Sequence, residues 1–260
     1  MNSIVTIARL GAQADGIADT SNGPMFVPFT LPGEKVNVAV AGKKADVVAF
    51  LETSPQRVAP KCRHFGECGG CAIQHLEDGA YRDWKRQILV DALRSRSIDI
   101  EVDPIVVCEP HSRRKAALTA RKTDKGLLLG FNAALSHRIV NMEECPVMLP
   151  SIVENLDVLR KLGMLVGQTV DPFRLAVTQT ASGLDVAMEG SGKPEGKRRQ
   201  AVVDFCLHNG IARLAIDGEI IIEPKKPVVM IDDIAVPPPP GAFLQAVESA
   251  EQVMAGLVTE

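Results

Sequence analysis

Cys62-Arg63-His64-Phe65-Gly66-Glu67-Cys68-Gly69-Gly70-Cys71 places three thiols within ten residues, in the spacing C-x5-C-x2-C. Gly69 and Gly70 let the backbone turn tightly between the last two, and their N–H groups are able to point at sulfur. So dense a run of Cys and Gly reads as a ligand loop rather than a regular element. Three thiolates leave a tetrahedral centre one ligand short. Cys145 is the best candidate for the fourth, because Pro146 follows it and a Cys-Pro step recurs at the end of ligand loops in iron–sulfur proteins. A four-thiolate site can equally hold zinc, although zinc sites favour two short-spaced pairs and the pattern here is three plus one. His64 and His75 flank the loop. With four thiols present they read as surface groups or as supports for the ligands.

On the N-terminal side of the loop, four short runs of β type stand close together: Ile4-Val5-Thr6-Ile7-Ala8, Met25-Phe26-Val27-Pro28, Lys35-Val36-Asn37-Val38-Ala39-Val40 and Asp46-Val47-Val48-Ala49-Phe50. Gly11, Asp15-Gly16, Asn22-Gly23, Pro32-Gly33 and Gly42 punctuate them. Strands so closely spaced predict a small closed barrel over 1–58, with 55–60 as its linker.

On the C-terminal side, Tyr81, Trp84, Ile88 and Ala92, with Leu89 and Leu93, recur at helical spacing and predict an amphipathic helix over 79–96. Its aromatic pair reads as core. From 102 to 140 the strand-and-turn style resumes, with Lys125-Gly126 punctuating a hairpin before Leu127-Leu128-Leu129. Ile152, Val153, Leu156 and Leu159 predict one helix over 150–162 that Gly163 can end. The stretch 173–222 then reads strand, strand, helix, strand, strand: 174–180, 184–188, 199–209, 212–216 and 219–222. That order suggests an α+β unit around an antiparallel sheet. The prolines from Pro237 to Pro240 are a stiff break, and a helix is expected over 243–257. Cys108 and Cys206, in apolar strand-like and helix-like runs, are expected to be buried free thiols. The domain scheme is thus a barrel at 1–58, a central α+β domain carrying the cysteine loop at 59–240, and the start of another domain at 241–260.

The 260 residues are 46% hydrophobic with a formal net charge of -3, enough for packed cores and too little positive charge to announce nucleic acid globally. Between His111 and Val140, however, Arg113, Arg114, Lys115, Arg121, Lys122, Lys125 and Arg138 face the single acid Asp124. That run is either an anion-facing surface or an ordinary solvated face. The first ten residues hold no apolar signal core, and no stretch approaches a membrane span. The chain therefore reads as cytoplasmic, where thiols stay reduced, and six unevenly spaced cysteines point to metal ligation or buried thiols rather than disulfides.

The same residues resemble the uracil-5 RNA methyltransferases of the 23S rRNA type, relatives of the enzymes that form thymine 54 in tRNA. Ala8-Arg9-Leu10-Gly11, Asp15-Gly16-Ile17-Ala18, Phe26-Val27-Pro28-Phe29 and Leu31-Pro32-Gly33-Glu34 are similar to that family's TRAM domain, an OB-like RNA-binding barrel. The Cys62 to Cys71 loop, with Gln74-His75-Leu76 after it, resembles the family's cluster loop. Gly130-Phe131, His137-Arg138-Ile139-Val140 and Glu144-Cys145-Pro146-Val147 resemble the region supplying the fourth ligand. The resemblance implies a 4Fe-4S cluster on Cys62, Cys68, Cys71 and Cys145. Phe243-Leu244-Gln245 resembles a segment whose Gln contacts S-adenosylmethionine and whose Phe lies near the target nucleotide, though Ala246-Val247 stand where the family has Val-Asn. It further implies a monomer engaging structured RNA, 23S rRNA in particular, away from membranes. Phosphate contacts are expected from Arg113, Lys115, Arg121 and Lys122, with Lys43 and Lys44 from the barrel. Since the family's Gly-rich loop, nucleophilic Cys and general base lie beyond any motif found here, the expected fold class is α+β with an OB-like barrel and with most of the Rossmann-like catalytic domain absent. The chain alone is expected to transfer no methyl group.

Overall fold

In the computed structural model, which describes residues 2–231 and 233–259, the first compact unit comprises Met1–Gly66 and Cys71–Val106. Its strands are β1 (Asn2–Thr6), β2 (Arg9–Leu10), β3 (Gly16–Thr20), β4 (Gly23–Val27), β5 (Lys35–Ala41) and β6 (Lys44–Glu52), laid side by side in the order β1-β5-β6-β4-β3-β2. β1 and β2 are one run of chain broken at Ile7 and Ala8, yet they stand at opposite ends of that order. The sheet must therefore curl round on itself, and the bond from Ala8 N to Ile17 O (2.8 Å) lies at the seam. Alternation then sends Val36 and Val38 inward to meet Ile7, Ala18, Val27 and Ala45 in a small apolar core.

One buried ion pair fastens this unit. Glu34, fully buried, accepts from Leu31 N (2.8 Å), Ser54 N (3.2 Å) and the Arg57 guanidinium (2.5 and 2.7 Å), which also donates to Phe29 O (2.9 Å). Burial alone raises a carboxyl pKa, but the Arg57 bond and the two backbone N–H groups outweigh it and hold Glu34 below the ordinary range. His75 is buried beside this pair, edge-on to Phe29 and tilted against Phe65, with ring centroids 6.4 and 5.3 Å away. Neither of its ring nitrogens finds a hydrogen-bond partner of ordinary geometry. Desolvation and the Arg57 charge push its pKa down to about 4, against weaker opposing effects of Glu34 and a backbone contact at Thr30.

Helix α1 (Asp78–Arg94) starts where the Glu77 carboxylate accepts from Gly79 N (2.9 Å) and Ala80 N (3.0 Å). It buries no residue completely. Trp84, expected in a core, is half-buried and lines a cleft of about 770 Å³ with Ile88, Leu76, Leu10 and Pro32.

The second unit comprises Glu67–Gly70 and Val107–Glu260. It contains β7 (Lys115–Thr123), β8 (Gly126–Gly130), α2 (Pro150–Val153), α3 (Leu156–Val166), β9 (Phe173–Thr180), β10 (Gly183–Glu189), α4 (Gly196–His208), β11 (Ile211–Ile216) and β12 (Glu219–Ile222). The hairpin β13 (Val229–Ile231) and β14 (Ile234–Val236) and the helix α5 (Glu248–Thr259) complete it. Six strands form one sheet in the order β12-β11-β10-β9-β7-β8. Leu118, Leu129, Leu175, Val186, Met188 and Leu214 from that sheet meet Leu159 and Leu162 of α3 and Val202 of α4 in the main core.

The expected antiparallel sheet needs correcting here. β10 and β11 run parallel, joined by a crossover through α4, while the other neighbours are antiparallel, so the sheet is mixed. The predicted helix over 150–162 is two helices, because the chain leaves helical geometry at Asn155 (φ -95, ψ 10). Gly163 does not end the second one. It sits inside α3 where a Cβ would fall 2.5 Å from Leu127 Cδ2, so its missing side chain lets the helix lie close on β8. The strand character read from residue 102 begins only at Lys115, and Val106, Val107 and Cys108 are exposed. Among the described residues no helix is long and apolar enough to cross a membrane.

Candidate functional site

The helix expected from Phe243 begins only at Glu248, because residues 238–246 are held in an irregular path by cations that capture their carbonyl groups. Arg213, buried in the middle of β11, makes a two-pronged bond to Asp185 (2.9 and 2.8 Å), reaches Glu223 (3.4 Å), and donates to Pro238 O (2.8 Å). Its burial favours the neutral guanidine, but the Asp185 and Glu223 carboxylates outweigh that and raise its pKa. Lys115 Nζ donates to Gly241 O (3.4 Å) and to Ala242 O. Arg114 donates from its backbone to Ala246 O (2.7 Å) and from Nε to Gln245 O (3.2 Å). Its Nη2 meets Glu251 at 2.5 Å and its Nη1 meets Glu248 at 3.3 Å, both on the first turns of α5. Arg113 completes the fastening with isolated bridges to Val247 and Met148.

That path decides what the segment presents. Phe243 is 83% exposed, the side chain of an apolar residue held in solvent on a tethered backbone. Gln245 is half-buried two residues on. Lys115 is half-buried, and desolvation followed by repulsion from Arg174 lowers its pKa against the pull of Asp185. Sequence reasoning placed Lys115 with the phosphate contacts, left Arg114 in a basic run that was either anion-facing or solvated, and assigned nothing to Arg213. A signal for Arg114 did exist: it has the same strand parity as Ala116, Leu118 and Ala120, which all point inward.

The other basic candidates are spread more widely. Arg121 is exposed on β7, whereas Lys122 Nζ is already engaged with Gly167 O (2.9 Å). In the first unit Lys43 and Lys44 are exposed at the β5–β6 turn, where Gly42 takes the left-handed conformation (φ 65) a tight hairpin needs.

The four cysteines are all half-buried, and none is in a disulfide. In the second unit Cys68 bridges Ala133, Gly69 N donates to Asn132 O (2.9 Å), and Gly70 N points at Cys68 Sγ (3.4 Å). A side chain at Gly69 would bring a Cβ to 2.7 Å from Asn132 O, so only glycine permits that approach. Cys145 packs on the main core. Cys62 and Cys71 belong to the first unit, where the Cys62 carbonyl accepts from Phe65 N (3.1 Å) in a tight turn. The donor chemistry, four thiols with an N–H aimed at one sulfur, suits an iron–sulfur cluster or zinc. Among the described residues no group of three or more His, Cys, Asp or Glu stands in metal-holding geometry. Of the remaining thiols, Cys206 is fully buried and its pKa is pushed up to about 12 by desolvation. Cys108, expected to be buried, is exposed because its segment forms no strand.

Residues 4–44 match the TRAM domain family model. Along the whole chain the similarities are to RNA methyltransferases. An uncharacterised RNA methyltransferase of Mesorhizobium japonicum is 54% identical over 258 residues, 99% of this chain and 62% of the relative. The similarity to that protein runs along almost the whole of this chain. Another, from Brucella suis, is 51% identical over 254 residues, 98% of this chain and 61% of the relative. The 23S rRNA (uracil(1939)-C(5))-methyltransferase of Halomonas elongata is 36% identical over 166 residues, 60% of this chain and 34% of that enzyme. The crystal structure of the Pyrococcus abyssi tRNA (uracil-54, C5)-methyltransferase in complex with S-adenosyl-L-homocysteine superposes with a TM-score of 0.70 at 20% identity. It covers 98% of this chain and 64% of that one. The chain thus spans a little over three fifths of the length of these curated relatives.

The structural match corrects the expected fold class. In place of an α+β front part with most of the catalytic domain absent, the chain follows the fold of a methyltransferase structure through 98% of its length.

Proposed function

We propose that this chain engages structured RNA as part of an S-adenosylmethionine-dependent uracil-5 methyltransferase acting in the cytoplasm on ribosomal RNA. The observation that carries the reading is the tethered segment 238–246, which holds Phe243 in solvent two residues from Gln245. An exposed aromatic ring on a fixed backbone is suited to stack on an unpaired base, the mode by which proteins read structured RNA. The TRAM match over 4–44 and the named RNA substrates of the Halomonas and Pyrococcus relatives support it. Gln245 is assigned to S-adenosylmethionine and Phe243 to the target nucleotide. When bound, S-adenosylmethionine supplies the methyl group.

Phosphate contacts are assigned to Arg121, Lys43 and Lys44 first, with smaller shares for Arg113, Lys115 and Lys122, which already hold parts of the fold. None of the six thiols suits attack on uracil C6: Cys206 cannot ionise near neutrality, Cys108 lies on an irregular exposed segment, and four belong to the ligand set. Residues 1–260 are accordingly expected to bind RNA without methylating it. The test is binding to an rRNA hairpin across a salt series, where the affinity should fall steeply with salt. Arg121→Ala combined with Lys43→Ala and Lys44→Ala should weaken binding and flatten the slope. An unchanged slope would return these cations to a solvated face. Label transferred from tritiated S-adenosylmethionine to uracil C5 by this chain alone would show that the active site has been misplaced.

Cys62, Cys68, Cys71 and Cys145 are proposed to hold a 4Fe-4S cluster with a structural role. Anaerobically purified protein should then contain about four iron atoms and equal acid-labile sulfide per chain. Cys145→Ser should lose most of the iron while Cys206→Ser keeps it, and stoichiometric zinc without iron would overturn the assignment.

A further inference from the structure

We infer that Arg114 is a positioning residue, whose guanidinium fixes the conformation in which the segment 238–246 presents Phe243. The chemistry of the contacts carries this. An irregular segment has backbone carbonyls that no helix or sheet satisfies, and left alone they would be hydrated and the chain mobile. Here a single buried side chain, with 6% of its surface exposed, links three things at once: the Gln245 carbonyl, the Glu251 carboxylate and the Glu248 carboxylate. Its own backbone N–H takes the Ala246 carbonyl, and its carbonyl accepts from Gln179 N (2.8 Å) on β9. The segment is therefore joined through Arg114 both to the sheet and to the start of α5. Planar and five-donor, a guanidinium can satisfy a carbonyl and two carboxylates together, which an ammonium cannot do with the same geometry.

The two carboxylates have a second consequence. They neutralise a charge that would otherwise be buried, so Arg114 is not free to act on phosphate although it lies in the basic run Arg113-Arg114-Lys115. That run faces inward as a clamp at its middle residue, and its function is exercised through Phe243 and Gln245.

The inference rests on the proposed RNA engagement, and the experiment separates the two. The 260-residue chain is prepared with a photo-crosslinking phenylalanine analogue at position 243, as the unsubstituted clamp and as Arg114→Ala, Arg114→Lys and Glu251→Gln. Amide hydrogen exchange over 242–247 and crosslink yield to an rRNA hairpin are both measured, with RNA affinity recorded in parallel. Arg114→Ala should accelerate exchange in 242–247 by roughly tenfold or more, with the core strands β9 and β10 keeping their protection. It should also cut crosslinking at 243 several-fold at RNA concentrations that saturate binding. Arg114→Lys should fall short of restoring either readout. Should Arg114→Ala fail to fold, Glu251→Gln, which alters only a partner at the edge of the site, should shift both readouts in the same direction by less. Exchange in 242–247 unchanged by every variant would overturn the inference, as would faster exchange with undiminished crosslinking at full RNA occupancy. If the unsubstituted clamp gives no crosslink at all, the RNA reading of Phe243 falls, and the exchange data still decide the clamp.

Discussion

His75 should make the first unit acid-sensitive in a defined pH window. Its imidazole is enclosed by Phe29 and Phe65 beside Arg57, and its pKa drops from 6.5 to about 4 on folding. A depressed pKa means that the folded state binds the proton less well than the unfolded one. The stabilisation is therefore fully present above about pH 6.5, is lost as pH falls towards 4, and is gone below that. A histidine that titrates at 6.5 unfolded and about 4 folded contributes about 3 kcal/mol, a large part of a small domain's stability. The only tryptophan, Trp84, lies in the same unit and reports its unfolding. Urea titrations followed by Trp84 fluorescence, from pH 7.5 down to pH 4, are compared for the natural chain and His75→Phe at matched metal content. The variant keeps an aromatic ring in the cluster and removes the titration. The free-energy difference between the two proteins should tilt by about 3 kcal/mol across the window, with the natural chain losing more. Carboxylates elsewhere cancel in that difference, and Glu34, whose lowered pKa contributes only below its ordinary range, acts mainly at more acid pH. Parallel curves for the two proteins would refute the reasoning, since a histidine that titrates alike folded and unfolded contributes no slope.

Breaking the neighbouring ion pair should cost more at neutral pH: Arg57→Ala leaves the fully buried Glu34 carboxylate with only backbone partners, and about 3 kcal/mol of first-unit stability should be lost by the same fluorescence assay. Gly163→Ala in α3 gains helix propensity, but its Cβ would press on Leu127, so a net loss of about 1–2 kcal/mol is expected in calorimetry, and Leu127→Ala in the same chain should relieve the clash. Cys206 should resist thiol reagents until the chain unfolds, while Cys108 reacts at once in the folded state, as read by mass spectrometry of labelled peptides.

Much of this molecule was legible in order along the chain. The barrel strands β1, β4, β5 and β6, though not β2 and β3, together with α1, the β7–β8 hairpin and the strands around α4, fall close to where periodicity and turn residues place them. Those features depend on neighbours a few residues apart, and an alternating strand such as β5 or a left-handed turn at Asp217-Gly218 carries its own instructions. The thiol spacing and Phe243-Leu244-Gln245 were legible for the same reason, as local patterns of residue type.

What the sequence determined by itself was thus the run of elements and the inventory of chemistry. Only the tertiary structure decided how they are used. Whether β10 pairs with β11 parallel or antiparallel depends on where α4 packs, which no local period encodes. Gly163 reads as a helix stop until β8 lies against it and turns it into a contact. Residues 243–247 have an adequate helical pattern, yet Arg114, more than a hundred residues away in sequence, takes the Gln245 and Ala246 carbonyls first and keeps the segment irregular. Charge at Arg114 is visible in one line of text, but its direction is not. A buried guanidinium is stable only where carboxylates and carbonyls converge on it, and that convergence exists only once the chain has folded.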